Sequence, residues 1–333
     1  MATYIVRRTL ISVFTIFVIS FLSFIVIRLP EGDFVDKFVY YQEGMRGVEL
    51  SAEEEAEIRA QFGLDQAVFT QYAGWIGKII FEGDFGNSWH QDTPTPIRNI
   101  IIDKLPFTII LSAFTIILTW TFAVPIGIYA AVRHNSVGDY VFTFLGFTGL
   151  AVPDFLLGLV LMYLFFEYFG MSVGGLFSGN FERAPWSLAK VWDLVKHLFI
   201  PAVVLGTAGT AGLIRIMRNN LLDELSRPYV VTAQAKGMSS WRIIVKYPVR
   251  VAINPLISGI GGMLPALVSG SVIVSVVLSL PTLGPVLLYA LGQEDQYLAG
   301  TIVMLLGAFT VVGVLLSDLL LVVVDPRIRM TGE

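Results

Sequence analysis

The sequence predicts an all-α integral membrane protein with six transmembrane helices and one extramembrane insertion. Three observations carry that prediction. The 333 residues are 55% hydrophobic and 14% charged, well short of the charged quarter typical of soluble domains, and the mean hydropathy is +0.73. Apolar runs long enough to cross a bilayer recur along the chain. The segments between them alternate between basic and acidic, as loops on opposite sides of a membrane do. The absence of cysteine excludes disulfides, thiolate metal sites and cysteine nucleophiles.

The first span is Thr9 to Ile27. It is retained: the run is long, and Arg28-Leu29-Pro30 is not a small-residue cleavage site. Arg7 and Arg8 ahead of it put the N-terminus in the cytoplasm. Leu29 to Leu105 is incompatible with lipid, with fourteen acids from Glu31 to Asp103 against six bases. The expected organisation is therefore an N-terminal span over 1–28, an extracytoplasmic insertion over 29–105, and a five-span core over 106–333. Within the insertion, Ser51-Ala-Glu-Glu54 has capping-box spacing, and a helix follows to about Phe62. Glu53, Glu54, Glu55 and Glu57 suit a solvated face at a positive helix end better than a metal site.

The second span is Pro106 to Val132, closed on the inner side by Arg133-His134. The third runs from Tyr140 to about Phe169, with Pro153 as a kink. Asp154 beside it is an intramembrane carboxylate, a functional candidate by default. The preferred reading places it in a water-filled path or at a helix break, satisfied by freed backbone N–H groups. Gly170 to His197 is an outer loop. The fourth span, Leu198 to Met217, centres on Gly206-Thr-Ala-Gly209-Thr-Ala-Gly212. Gly206, Gly209 and Gly212 allow close helix approach, or form a wall of the pore, or both. Asn254 to Leu280 is the fifth span. An outer loop from Pro281 to Tyr297 follows, carrying Glu294 and Asp295. The sixth span is Leu298 to Val324, with Asp318 as a structural group near its inner end, and Asp325 to Arg329 closes the chain inside.

Between the fourth and fifth spans lies a polar, basic island over 215–252. From Arg218 to Arg250 it holds Arg218, Arg227, Lys236, Arg242, Lys246 and Arg250 against Asp223 and Glu224. A basic side chain at a bilayer centre costs about 2.5–3.5 kcal/mol, so the island belongs in water, and its Lys/Arg excess belongs on the cytoplasmic side. Pro228 suits the first turn of a helix. Tyr229, Thr232, Ala233 and Lys236 recur at the spacing of one helical face. Gly237 suits the left-handed residue that ends it. Ser239 or Ser240 can cap a second helix running to about Tyr247, and Pro248 and Pro255 punctuate the return to the membrane. Small residues at such an elbow let another backbone approach, as docking in a partner's groove requires.

Thr232-Ala-Gln-Ala-Lys-Gly237 and the basic-apolar run after it resemble the coupling motif of ABC-importer permeases of the dipeptide/oligopeptide type. Val231 stands where the motif usually opens with an acid, and Arg250 where other branches carry proline. Gly63-Leu-Asp65, Gln71-Tyr72, Gly83-Asp-Phe-Gly-Asn-Ser88, Thr95-Pro96 through Lys104-Leu-Pro106, and Asp325-Pro-Arg-Ile-Arg329 resemble further landmarks of that family. The resemblance implies a type I ABC importer permease fold in a bacterial or archaeal cytoplasmic membrane, with both termini cytoplasmic. It implies a second homologous permease subunit, two cytoplasmic ABC ATPase subunits and an extracytoplasmic solute-binding protein. ATP and Mg would sit on those partners and no cofactor on this chain. It assigns ATPase coupling to Thr232, Ala233, Ala235, Lys236, Gly237 and Met238. Peptides are the implied cargo; relatives of similar sequence carry oligosaccharides, glutathione or nickel chelates.

The residues agree that the chain lacks chemistry of its own. No G-x-x-x-x-G-K-[ST] loop, H-E-x-x-H or G-x-S-x-G occurs, and His90, His134 and His197 are far apart. No metal-ligand set is visible, and nothing in the sequence points to nucleic acid as a partner. A stand-alone secondary transporter is the competing reading, and it would have only Asp154 and Asp318 as intramembrane ion ligands. A membrane-anchored receptor is a third. Both leave the basic elbow without a role.

Overall fold

The computed structural model describes residues 2–26, 28, 35–36, 39, 44, 51–61, 65–88, 95–170, 174–293 and 295–324. The chain divides into two compact units, one of 13–106 with 286–308 and one of 1–12 with 107–285 and 309–333. In chain order the described elements are α1 (Ala2–Val26), α2 (Ala52–Gln61), α3 (Val68–Glu82), β1 (Asn87–Ser88), β2 (Thr95–Pro96) and α4 (Ile97–Val132). Then come α5 (Val137–Ala151), α6 (Asp154–Phe169), α7 (Gly179–Glu182), α8 (Leu188–Leu225), α9 (Pro228–Ala235), α10 (Ser240–Lys246) and α11 (Pro248–Ala252). Last are α12 (Asn254–Val277), α13 (Leu283–Gly292) and α14 (Gln296–Val324). The two short strands pair antiparallel, Asn87 opposite Pro96 and Ser88 opposite Thr95.

Among the described residues, four helices are long and apolar enough to cross a membrane: α1 over Ile5–Val26, α4, α8, and α14 over Tyr297–Leu321. The count reaches six if each of two bent pairs is one span, α5 with α6 and 240–252 with 254–264.

In the unit of 13–106 and 286–308, Phe24, Tyr72, Trp75 and Met304 form an aromatic core with Phe21, Ile76 and Tyr297 packed on it. The Ser20 hydroxyl and Tyr72 Oη lie 2.6 Å apart at its centre. Asp295 caps α14 by accepting the Leu298 N–H at 3.0 Å, and it also takes the hydroxyl of buried Ser88. The expected capping box is present: the Ser51 N–H reaches Glu54 Oε2 at 2.8 Å, and the Glu54 N–H reaches Ser51 Oγ at 3.3 Å. The helix it starts ends at Gln61.

In the other unit α8 is the axis, packed by α5, α6, α11 and α12. Leu194, Leu198, Val204 and Leu205 form one core with Val274, Leu278 and Leu280. Leu213, Ile214, Met217 and Leu221 form another with Ala123, Ala252 and Leu256. Asp318 forms an ion pair with Arg8.

Four boundaries differ from expectation. The kink at Pro153 is a break, α5 and α6 meeting at 104°. Proline drives the residue before it out of the helical region, and Val152 sits extended at ψ 124. Helix α4 starts at Ile97, nine residues ahead of the expected Pro106, and its 36 residues extend to about 54 Å. Helix α8 runs from Leu188 to Leu225, beyond Leu198–Met217 at both ends. Ser187 caps it through the Lys190 N–H at 3.2 Å, and Lys190, Asp193, Leu194 and Leu198 are its first buried face. The Lys190 ammonium donates to the Ala184 and Glu182 carbonyls at 2.6 and 3.3 Å. Finally, α13 occupies most of the outer loop expected over 281–297. Glu294, Phe62, Gly63 and 325–329 lie outside the described residues.

Candidate functional site

The basic island begins as the end of α8 and then folds into three short helices. Pro228 opens α9 at a position where its missing N–H costs nothing. Glu224, on the last turn of α8, braces the corner. It accepts the Tyr229 hydroxyl and lies 3.6 Å from Arg227 Nε. The Thr232 hydroxyl turns back onto its own helix, donating to the Pro228 carbonyl at 2.9 Å.

The end of α9 is a Schellman motif. The Gly237 N–H donates to the Gln234 carbonyl at 2.9 Å and the Met238 N–H to the Ala233 carbonyl at 3.4 Å. Gly237 has φ 73, and a Cβ there would meet no atom within 4 Å, so glycine is needed for its backbone and not for space. Met238 folds onto Val230, Ala233 and Ile243, with Tyr247 completing a small apolar core. That core holds α9 against α10. Ser239 stands at the α10 N-cap but makes no capping bond with its side chain. Pro248 opens α11, and Pro255 lies in the first turn of α12.

The expected face of Tyr229, Thr232, Ala233 and Lys236 therefore splits. Ala233 turns inward and is buried, while the other three are exposed. Among the residues assigned to coupling, Thr232, Ala235, Lys236 and Gly237 are on the surface. Ala233 and half-buried Met238 hold the elbow together. Trp241, 68% exposed, stands out on α10 beside Arg242, and sequence reasoning passed it over. An exposed tryptophan in a basic segment was the available signal.

The pathway candidates also separate. Asp154 takes the first position of α6, just past the break, half exposed and without a side-chain partner among the described residues. Gly206 is a crossing point: a Cβ there would lie 2.7 Å from Thr119 Oγ1 and 3.5 Å from Thr115 Cγ2 of α4. Gly209 has only ordinary contacts, at 3.8 Å from Met263 and Thr119, and Gly212 faces open space. No group of acids or histidines among the described residues could hold a metal ion.

An ion pair with a buried carboxylate and a partly buried guanidinium lies near the end of α8. Arg218 of α8 forks onto Asp139 of α5, Nε to Oδ1 at 2.7 Å and Nη2 to Oδ2 at 2.8 Å. In the sequence Arg218 stands among the loop cations, and Asp139 is not singled out. The spacing Ser136-x-x-Asp139 was the local signal, since the Ser136 hydroxyl accepts the Asp139 N–H at 3.3 Å.

Comparison with known proteins places these features in a wider group. The family described as "Binding-protein-dependent transport system inner membrane component" matches residues 123–330, and its N-terminal companion matches residues 1–112. The chain is 34% identical over 330 residues to the oligopeptide transport system permease protein AppB of Bacillus subtilis, covering 99% of this chain and 100% of that protein. It is 30% identical over 345 residues to the dipeptide transport system permease protein DppB of Escherichia coli K12, covering 99% of each. The peptidoglycan transport system permease protein YejB of Agrobacterium fabrum is 30% identical over 364 residues, 98% of each chain being covered.

Proposed function

Because the chain belongs to the binding-protein-dependent transport system inner membrane component family, we propose that it forms half of a peptide translocation pathway, driven by ATPases docked on its 228–252 elbow. It is a multi-pass membrane permease subunit of an ABC importer, so its work is transport and not catalysis. ATPase and binding-protein partners go with that family.

The finer reading concerns cargo, partners and coupling. Peptides are favoured as cargo by the names of the relatives aligned over nearly the whole chain. The complete importer would add a second homologous permease, two cytoplasmic ATPases that bind ATP and Mg, and an external solute-binding protein. Both termini and the elbow would face the cytoplasm, in keeping with the basic residues of the island. ATP closure would move the elbow and open the membrane helices outward.

The observation that carries this reading is the elbow itself. Two short helices are locked at a fixed angle by Gly237 and a buried apolar core, and Thr232, Ala235 and Lys236 are left on the outside. A rigid, small-residue projection can transmit a push, whereas a floppy loop cannot. Asp154, Gly209 and Gly212 are the residues proposed for the path, and Gly206 supports it by helix packing.

The test uses the chain's lack of cysteine. Thr232→Cys and Lys236→Cys, expressed with the neighbouring genes, should cross-link to a co-purifying ATPase, with the yield changing when nucleotide is added. A preparation that holds no ATPase in several mild detergents, and moves solute on an ion gradient alone, would establish a secondary transporter instead.

A further inference from the structure

Asp139 and Arg218 are separated by 79 positions, yet they meet as a two-bond fork. Asp139 is 1% exposed, and its Oδ2 also accepts the Asn135 N–H at 3.0 Å. Asn135 supplies that N–H from a left-handed turn, φ 60, a conformation asparagine tolerates. Two apolar side chains would hold these helices together with less desolvation. They would not fix rotation, which a planar guanidinium on a carboxylate does.

The fork ends a longer seam. A Cβ on Gly149 would lie 2.6 Å from Thr207 Cγ2, and one on Gly146 would lie 3.5 Å from the Ala211 Cβ. Helix α5 is thus pressed to α8 at Gly149–Thr207 and Gly146–Ala211 and pinned at Asp139–Arg218. Beyond the pin, α8 continues into α9, and at its other end α5 stops at the 104° break before Asp154.

We infer that Asp139 and Arg218 are positioning residues for the transport cycle. They tie α5 to α8 so that displacement of the elbow is delivered to the break at 152–153. The functional meaning rests on the coupling role proposed for the elbow; the tie between the helices does not. With α5 pinned along its length, the extended Val152-Pro153 pair is where the two helices can change angle.

The experiment uses the assembled importer in liposomes, with ATP hydrolysis and uptake of a radiolabelled casein digest measured together. Asp139→Asn should lower uptake per ATP by about fivefold or more, the usual scale of coupling between sites. Arg218→Lys keeps the charge but loses the fork, and should fall likewise; it carries the test if Asp139→Asn does not assemble. Gly146→Cys with Ala211→Cys places two thiols at a Cβ separation suited to a disulfide, about 3.5–4.5 Å. In either variant background, oxidation with copper phenanthroline should restore uptake per ATP, and dithiothreitol should remove the restoration within the same preparation. Folding is then held constant.

Three results would overturn the inference. Asp139→Asn could couple as well as the native chain. The bridge could form without restoring coupling. Or the bridge in the otherwise native chain could abolish uptake, meaning that α5 and α8 must slide. If Thr232→Cys never reaches an ATPase while oxidation still restores coupling, the joint stands and the elbow's docking role falls.

Discussion

Gly206 and Gly212 bound the same repeat, Gly-Thr-Ala-Gly-Thr-Ala-Gly, and should respond oppositely to a single methyl group. In Gly206→Ala the new Cβ would stand 2.7 Å from the Thr119 hydroxyl, close enough that α4 or the hydroxyl must shift. Overpacking of this kind costs about 1–3 kcal/mol. Replacing glycine inside a helix returns about 0.5–1 kcal/mol of backbone entropy, leaving a net loss at position 206. In Gly212→Ala the methyl meets nothing within 4 Å, so only the gain is expected. The two variants should therefore differ by about 1–3 kcal/mol, several degrees in unfolding midpoint. Thermal unfolding in one detergent, followed by fluorescence, measures it. The clash also names its remedy. The Thr119 hydroxyl is buried and unpartnered among the described residues, so Thr119→Ala in the Gly206→Ala background should recover stability non-additively. A Gly206→Ala variant as stable as Gly212→Ala, or a double variant with no recovery, would refute the claim that this crossing is set by contact with α4. Gly212→Leu, filling open space, should leave the midpoint near native and lower uptake.

Three further outcomes are expected. Gly237→Asp should insert normally but uncouple uptake from ATP hydrolysis, whereas Gly237→Asn should retain most coupling because asparagine tolerates φ 73; uptake per ATP in liposomes checks both. The Ser51 N–H, and secondarily its hydroxyl, hold the Glu54 carboxyl below the usual carboxylate range. Because this pKa is depressed on folding, the capping box contributes above the ordinary carboxylate range and its contribution fades as pH falls through the folded value. Protection of the first-turn amides of α2, taken as the intrinsic exchange rate at each pH over the observed rate, should fall on acidification, and Ser51→Ala should remove that dependence on Glu54. Lys190→Met should leave the Ala184 and Glu182 carbonyls without their ammonium donor, so limited proteolysis should cut the 178–187 segment faster while α8 persists.

The parts of this fold that were legible in the sequence are those that backbone chemistry decides locally. Pro228, Gly237 and the Ser51–Glu54 pair each act within a few residues, and each does in the structure what its type and spacing implied. The full length of α8 was not legible. Lys190 and Asp193 fell within the expected outer loop, because their partners, the Ala184 carbonyl that accepts from Lys190 and the Ser178 N–H and hydroxyl that donate to Asp193, become neighbours only when the segment folds back. The Asp139–Arg218 fork is a contact between distant positions, and no local pattern announces its second member. The strip from Gly206 to Gly212 fails differently: its repeat is uniform, and only the direction each turn faces separates a crossing point from an opening.

Pro201 lies inside α8 and cannot donate the hydrogen bond its position calls for, which makes it the natural pivot of a 38-residue rod. The arm from Leu188 to Pro201 extends to about 20 Å and the arm from Pro201 to Leu225 to about 36 Å. A tilt of roughly 10° about that pivot moves the elbow end by about 6 Å and the far end by about 3 Å. If the helix tilts as one rod, a stroke at the elbow reaches the Ser187 end at about half its length.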